Sequence, residues 1–273
     1  MIVEDLAPQY PKNDKGWIQF PPDVTERHKL FPPEVMHHPA KMHLGLCQSI
    51  IDAYTKPGDR ILDPFGGTGT TGIAALQGRE IELIELETDF VALIQNIIDS
   101  WTQQGIITGS LKVWSGDNRQ VMAEMISNSF SRVITSPPYA RTIGRTNNPV
   151  KEGNIGLSQQ VEDTNKYAGK STSGLNFGRL NAFLFDKAMK SYYEQVYRVL
   201  KPGGLYISVT KDYITGGKRN PLGADTIKTC QSIGLKFTGD WFKWAPPGTF
   251  FKSMHKSRGT VTVDDEDIIV FQK

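Results

Sequence analysis

The chain has 273 residues with 38% hydrophobic and 22% charged side chains, the balance of a soluble globular protein, and it lacks any run of about 18 apolar residues that could span a bilayer. Its cysteines, Cys47 and Cys230, are too few and too far apart for a disulfide framework or a structural zinc site, and the histidines show no H-E-x-x-H spacing, so no metal is expected. A formal net charge of +2 is too small to argue for nucleic acid by itself, so that reading needs a local basic patch.

The first ten residues, MIVEDLAPQY, carry two acids and no basic-then-apolar pattern of a secretory signal, which predicts a cytoplasmic protein. Residues 1–37 are rich in Pro, Lys and aromatics, with Pro21-Pro22 and Pro32-Pro33 and no sustained period, and are expected to lie as an extended arm over the surface of a single domain that fills residues 38–273. In HLGLCQSIIDAY, Leu44, Cys47, Ile50, Ile51 and Tyr54 recur at three and four, which predicts an amphipathic helix with Cys47 in the core. KPGDR turns the chain. ILDPFGGTGTTGIAALQG then reads as strand, glycine loop and helix, with Gly78 ending the helix.

Gly66, Gly67 and Gly69 would let backbone N–H groups approach a ligand at a helix N-terminus near Thr70. The loop lacks the lysine of a P-loop and departs from the G-x-G-x-x-G spacing of nicotinamide dinucleotide folds. A tight strand-to-helix turn without a ligand would also explain it. Glu85 follows Gly66 by 19 positions at the end of the apolar run IELI, a placement that can bind a ribose diol, or else it is a solvated carboxylate opening the helix TDFVALIQNIIDSW. LKVWSGD gives a third short strand ending in Asp117, within reach of a bound nucleoside if the strands are parallel neighbours.

Arg132-Val133-Ile134-Thr135 has the β-branched character of a buried parallel strand, and no strand continues through Pro137-Pro138. The chain must leave the sheet at Ser136. Each proline fixes its own φ and extends its predecessor, so Ser136 and Tyr139 are held by a stiff backbone, either as a catalytic loop or as a plain turn closing a strand. Beyond Tyr139 comes a polar, Gly- and Asn-rich stretch far longer than ordinary loops. Between Ala140 and Lys190 eight basic residues (Arg141, Arg145, Lys151, Lys166, Lys170, Arg179, Lys187, Lys190) stand against four acidic ones (Glu152, Glu162, Asp163, Asp186). The stretch is a solvated insertion or a surface for a polymeric substrate. Downstream, NAFLFDKAMKSYYEQVYRVL reads as a long helix with the apolar stripe Phe183, Phe185, Met189, Tyr192, Tyr193, Val196 and Val199 in the core. A KPGG turn, the strand LYISVT, a polar loop with Lys211, Lys218 and Arg219, a helix near Thr226 to Ile233 and a closing strand pair follow, while Lys252, His255, Lys256 and Arg258 could track phosphates.

DPFGGTGTT followed by TSPPY, with HPAKM before and VLKPGG after, resembles the S-adenosylmethionine-dependent amino-methyltransferases of DNA, over a span from about His38 to Leu205 and more faintly to DEDIIVFQK. The alternation of strands and helices predicts a doubly wound, mostly parallel α/β sheet. The resemblance makes it the seven-stranded class I methyltransferase (Rossmann-like) sheet with one antiparallel strand. It also implies S-adenosyl-L-methionine as cofactor. Asp63, Pro64, Phe65, Gly66, Gly67 and Gly69 would form the cofactor loop, with Thr70, Thr71 and Lys41 around the methionine end and Thr135 as a further cofactor-binding residue. Glu85 would hold the ribose hydroxyls and Asp117 the adenine amine.

Ser136, Pro137, Pro138 and Tyr139 would supply the catalytic pocket. Double-stranded DNA would be the substrate, with residues 140–181 as the recognition segment and Arg141, Arg145, Lys151, Lys170, Arg179, Lys218, Arg219, Lys252 and Arg258 as contacts. A cognate restriction endonuclease is a possible partner, and the oligomeric state is open. The serine of SPPY is associated in the family with N4 of cytosine, whereas adenine-specific relatives more often carry DPPY or NPPY. N6 of adenine, a base in RNA, and nucleic-acid binding without turnover are the alternatives. The cofactor loop precedes the catalytic loop here, unlike permuted members of the family.

Overall fold

The computed structural model describes residues 3–37, 41–138, 177, 180, 182–215, 218–247 and 261–273. Along the chain run α1 (Val24–Leu30), α2 (Leu44–Tyr54), β1 (Arg60–Asp63), a 3₁₀ helix (Thr70–Gln77), β2 (Glu80–Glu85) and α3 (Thr88–Gln103). They are followed by β3 (Ser110–Ser115), α4 (Asn118–Glu124), β4 (Phe130–Thr135), α5 (Ala182–Val199), β5 (Leu200–Thr210), a hairpin of β6 (Tyr213–Thr215) and β7 (Lys218–Asn220), α6 (Leu222–Ile233), β8 (Lys236–Trp244) and β9 (Glu266–Gln272).

Seven strands form one sheet in the order β3-β2-β1-β4-β5-β9-β8. Pairings among β3, β2, β1, β4 and β5 are parallel, and β9 runs antiparallel to both β5 and β8. This is the doubly wound α/β sheet expected from the sequence, and the closing strand pair is the antiparallel insertion of β9. Because successive residues of a strand point to opposite faces, each strand feeds two cores. Ile61, Ile81, Ile134 and Ile207 pack with α2, the 3₁₀ helix and α3, whereas Leu62, Ile84, Val133 and Tyr206 pack with α4, α5 and α6.

The extended arm expected over residues 1–37 is instead part of the fold. Leu6, Ala7, Ile18, Phe20, Phe31 and Val35 are buried, α1 forms within it, and Trp101 of α3 donates its indole N–H to Leu30 O at 2.7 Å. Apolar residues scattered between prolines carry no period, so their burial left no sequence pattern. The helix expected after the glycine loop has 3₁₀ geometry and ends, as expected, at Gly78 in a left-handed conformation. The KPGG turn becomes a bulge inside β5, since Phe130 pairs with Leu200 but Arg132 already pairs with Leu205. In α5, Phe185, Met189, Tyr192, Tyr193, Val196 and Val199 are buried as expected, but Phe183 is 76% exposed, because a spacing of two from Phe185 puts it on the opposite helix face. Helix α4 and the β6–β7 hairpin were not expected.

Candidate active site

The chain winds outward from β1 through β2 to β3, then crosses back to place β4 on the other side of β1. Ligands of such sheets bind beyond the carboxyl ends of the strands at this reversal. Asp63 ends β1, Glu85 ends β2, Asp117 follows β3, and Thr135 ends β4 with Ser136 next, so five of the residues singled out from the sequence converge there.

Asp63 ties the convergence together. It is 3% exposed, and its Oδ1 accepts from Thr135 Oγ1 at 2.5 Å and from Phe65 N at 3.0 Å while Oδ2 accepts from Thr71 Oγ1 at 2.6 Å. Burial pushes its pKa up against the opposing pull of those three bonds. One carboxylate therefore clamps the glycine loop, the helix behind it and the last residue of β4. Both of its oxygens are engaged by the protein, so its contribution is to position the two loops.

Gly67 and Gly69 have φ of +54° and +78°, and a Cβ on Gly66 would lie 3.2 Å from Leu83 Cβ and 3.3 Å from Ile84 O. The glycines thus let the loop hug β2, as the bond from Gly66 N to Ile84 O at 2.8 Å shows. Gly67 N donates to Glu85 Oε2 at 2.7 Å and Glu87 N to Glu85 Oε1 at 2.8 Å. Loop and acid, read separately from the sequence, hold each other.

Burial pushes the Glu85 pKa up to about 7 from its ordinary value of 4.5, with the backbone N–H groups pulling the other way. Below about 4.5 both folded and unfolded chains keep this proton; as pH rises towards 7 the unfolded chain releases it and the native one does not, so stability falls across that window by on the order of 3 kcal/mol. In Glu85→Gln that downward slope should disappear. Urea unfolding between pH 5 and pH 8 measures it, and an unchanged slope in the variant would refute the assignment.

Asp117 caps α4 through Arg119 N at 2.9 Å and grips the Arg119 guanidinium, Nε at 3.0 Å and Nη2 at 2.5 Å. That guanidinium lies 4.9 Å over Phe177, whose ring meets Phe65 edge-on at 5.5 Å. The neighbouring Asn118 donates Nδ2 to Pro64 O at 2.9 Å, and its Oδ1 is buried with no hydrogen-bond partner among the described residues. A buried acceptor beside the glycine loop fits an exocyclic amine such as that of adenine. Asn118 escaped the sequence reading, although it directly follows Asp117. Lys41 is half-buried with Nζ 3.3 Å from Met36 O, and burial and Arg27 hold its pKa below the usual lysine range. No sequence signal marks Arg27, yet its guanidinium donates to Thr70 Oγ1 at 3.0 Å.

At the end of β4 Thr135 is fully buried, Ser136 and Pro138 are half-buried and Pro137 is buried. Tyr139, Arg141, Arg145, Lys151, Lys170, Arg179, Lys252 and Arg258 lie outside the described residues. Lys218 is exposed on β7, and the Arg219 guanidinium is held by Asp212 at 2.7 Å and Asp265 at 3.0 Å. Among the described residues no three His, Cys, Asp or Glu side chains gather as a metal site, and no helix is long and apolar enough to cross a membrane.

The chain aligns over 82% of its length with a SAM-dependent methyltransferase structure from Methanosarcina mazei, covering 96% of that chain with a TM-score of 0.51 at 13% identity. The fold is that of a class I methyltransferase. Residues 6–96 of this methyltransferase fold match the DNA methylase family of N6 and N4 type. The chain is 49% identical over 57 residues to the type II methyltransferase M2.MboI of Moraxella bovis, 20% of this chain and 21% of that protein. It is 38% identical over 61 residues to the DNA adenine methyltransferase YhdJ of Escherichia coli, 22% of this chain and 21% of that protein. The aligned stretches thus span about a fifth of these curated relatives' length.

Proposed function

We propose that the protein is a DNA methyltransferase that uses S-adenosylmethionine to methylate an exocyclic base amine, with N4 of cytosine as the target. The observation that carries the reading is the Asp63 clamp, which joins a glycine loop of the DNA methylase family to a Thr-Ser-Pro-Pro turn across the sheet's reversal point. The bound cofactor would supply an electrophilic methyl group on a sulfonium. The glycine loop with Thr70 and Thr71 would hold its amino-acid end, Glu85 its ribose, and Asp117 with Asn118 its adenine.

The exocyclic amine is a poor nucleophile because its lone pair is delocalised into the ring. Ser136 Oγ and the Pro137 carbonyl can accept its two hydrogens, which favours a pyramidal nitrogen with the lone pair directed at the methyl carbon. On gaining the methyl group the amine nitrogen would lose one of the two hydrogens held by Ser136 Oγ and the Pro137 carbonyl, and that proton would pass to water beside the half-buried Ser136. Tyr139 is proposed to stack on the base, which must be flipped out of the duplex at a cost of a few kcal/mol. Methylation at C5 would require a cysteine nucleophile, and Cys47 and Cys230 are both fully buried, which pushes both thiols up and away from the thiolate form. The basic insertion of residues 140–181 and a restriction endonuclease partner belong to this same proposal.

A neutral serine in place of aspartate favours cytosine, while likeness to an adenine methyltransferase favours N6 of adenine as the second reading. Incubation of the protein with duplex DNA and methyl-labelled S-adenosylmethionine, followed by mass spectrometry of the nucleosides, separates them. We expect N4-methylcytosine. Label in N6-methyladenine overturns the base assignment, and label only in RNA overturns the substrate.

A further inference from the structure

Arg27 of α1 is 1% exposed. Its Nη2 donates to Asp23 Oδ2 at 2.7 Å and to Met42 O at 2.8 Å, and its Nη1 donates to Thr70 Oγ1 at 3.0 Å. Its Nε is buried without a hydrogen-bond partner among the described residues. A guanidinium this deep normally has its donors matched, because an unmatched buried donor costs about 1–3 kcal/mol. Asp23, the one carboxylate bonded to it among the described residues, also accepts from Leu44 N at 2.9 Å. Arg27 thus keeps one buried donor unmatched beside a single bonded carboxylate, and an anion near Thr70 would balance its charge.

Thr70 locates that anion. It follows Gly69, which is left-handed at φ +78°, and it opens an eight-residue helix. Since Thr70 Oγ1 accepts from Arg27, its own hydroxyl hydrogen is directed to another acceptor. The arrangement is therefore an oriented O–H donor at a helix N-terminus, backed by a buried guanidinium with one donor unmatched.

We infer that Arg27 is a positioning residue for the carboxylate of the donor's amino-acid moiety, acting through Thr70 and through its own charge; this rests on the S-adenosylmethionine reading of the same site. The N-terminal segment then takes part in donor recognition, and the chain distinguishes donors that carry a carboxylate from those that lack one.

The test is calorimetric binding of S-adenosylmethionine and of its decarboxylated form to the full chain and to Arg27→Met. In the wild type the carboxylated ligand should bind about 10- to 100-fold more tightly, and in Arg27→Met this preference should shrink to about threefold while the decarboxylated form binds nearly as before. Arg27→Lys, which keeps the charge but not the fork, should give an intermediate preference and carries the comparison if the methionine variant does not fold. Equal weakening of both ligands would show a strut between arm and loop and overturn the inference, as would a wild-type preference near unity. Failure of the wild type to bind either ligand would instead overturn the cofactor reading, so the two failures are distinguishable.

Discussion

Asp63→Ala should lower the unfolding free energy by about 3–5 kcal/mol, the largest stability loss expected from a single site residue. The substitution strips the acceptor from the Thr71 hydroxyl, the Thr135 hydroxyl and the Phe65 amide together, leaving three buried donors where one carboxylate stood. The native carboxylate is itself disfavoured by burial, which offsets part of the loss. Asp63→Asn keeps the shape and one oxygen, so it should be milder, at about 1–2 kcal/mol. Urea unfolding of the two variants measures this, and an alanine variant within about 1 kcal/mol of wild type would show that the clamp does not hold the site together.

The second large effect is on turnover. Ser136→Ala should cut methyl transfer about 100-fold or more while leaving donor affinity unchanged, because the hydroxyl's proposed partner is the target amine. Tyr139→Ala should behave alike. Single-turnover rates with saturating S-adenosylmethionine, set beside equilibrium binding of the same ligand, separate chemistry from binding. Wild-type turnover in both variants would remove the Thr-Ser-Pro-Pro turn from the active site.

The strands were legible where short β-branched runs ended in glycine or proline, as at Asp63 and Thr135, and the amphipathic helices α2 and α5 were legible from their spacing. The residues at the strand ends were legible as chemistry but not as partners. Nothing in the order of residues states that Glu85 accepts from Gly67 N, or that Asp63 bridges to Thr135, 72 positions later. Helix α4 hid behind a strand reading that ran through Asp117, although Asp is a common N-cap and here accepts from Arg119 N. Arg27 was hidden for another reason: within VTERHKL it looks like one more charge on a solvated face, and only tertiary packing against Thr70 and Phe31 buries it.

The way the N-terminal segment meets β8 bears on how the molecule behaves among its copies. Ile18 N donates to Lys243 O and Ala245 N donates to Ile18 O, both at 2.9 Å, so the segment's main chain occupies the hydrogen-bonding edge of the outermost strand at Trp244. At the opposite edge β3 is six residues long and presents Lys112 to solvent. Open strand edges are templates for intermolecular pairing, and covering one and charging the other are the devices by which soluble sheets avoid aggregation. The stretch that sends Arg27 to the glycine loop thus also blocks pairing with neighbouring copies at the Trp244 end of β8.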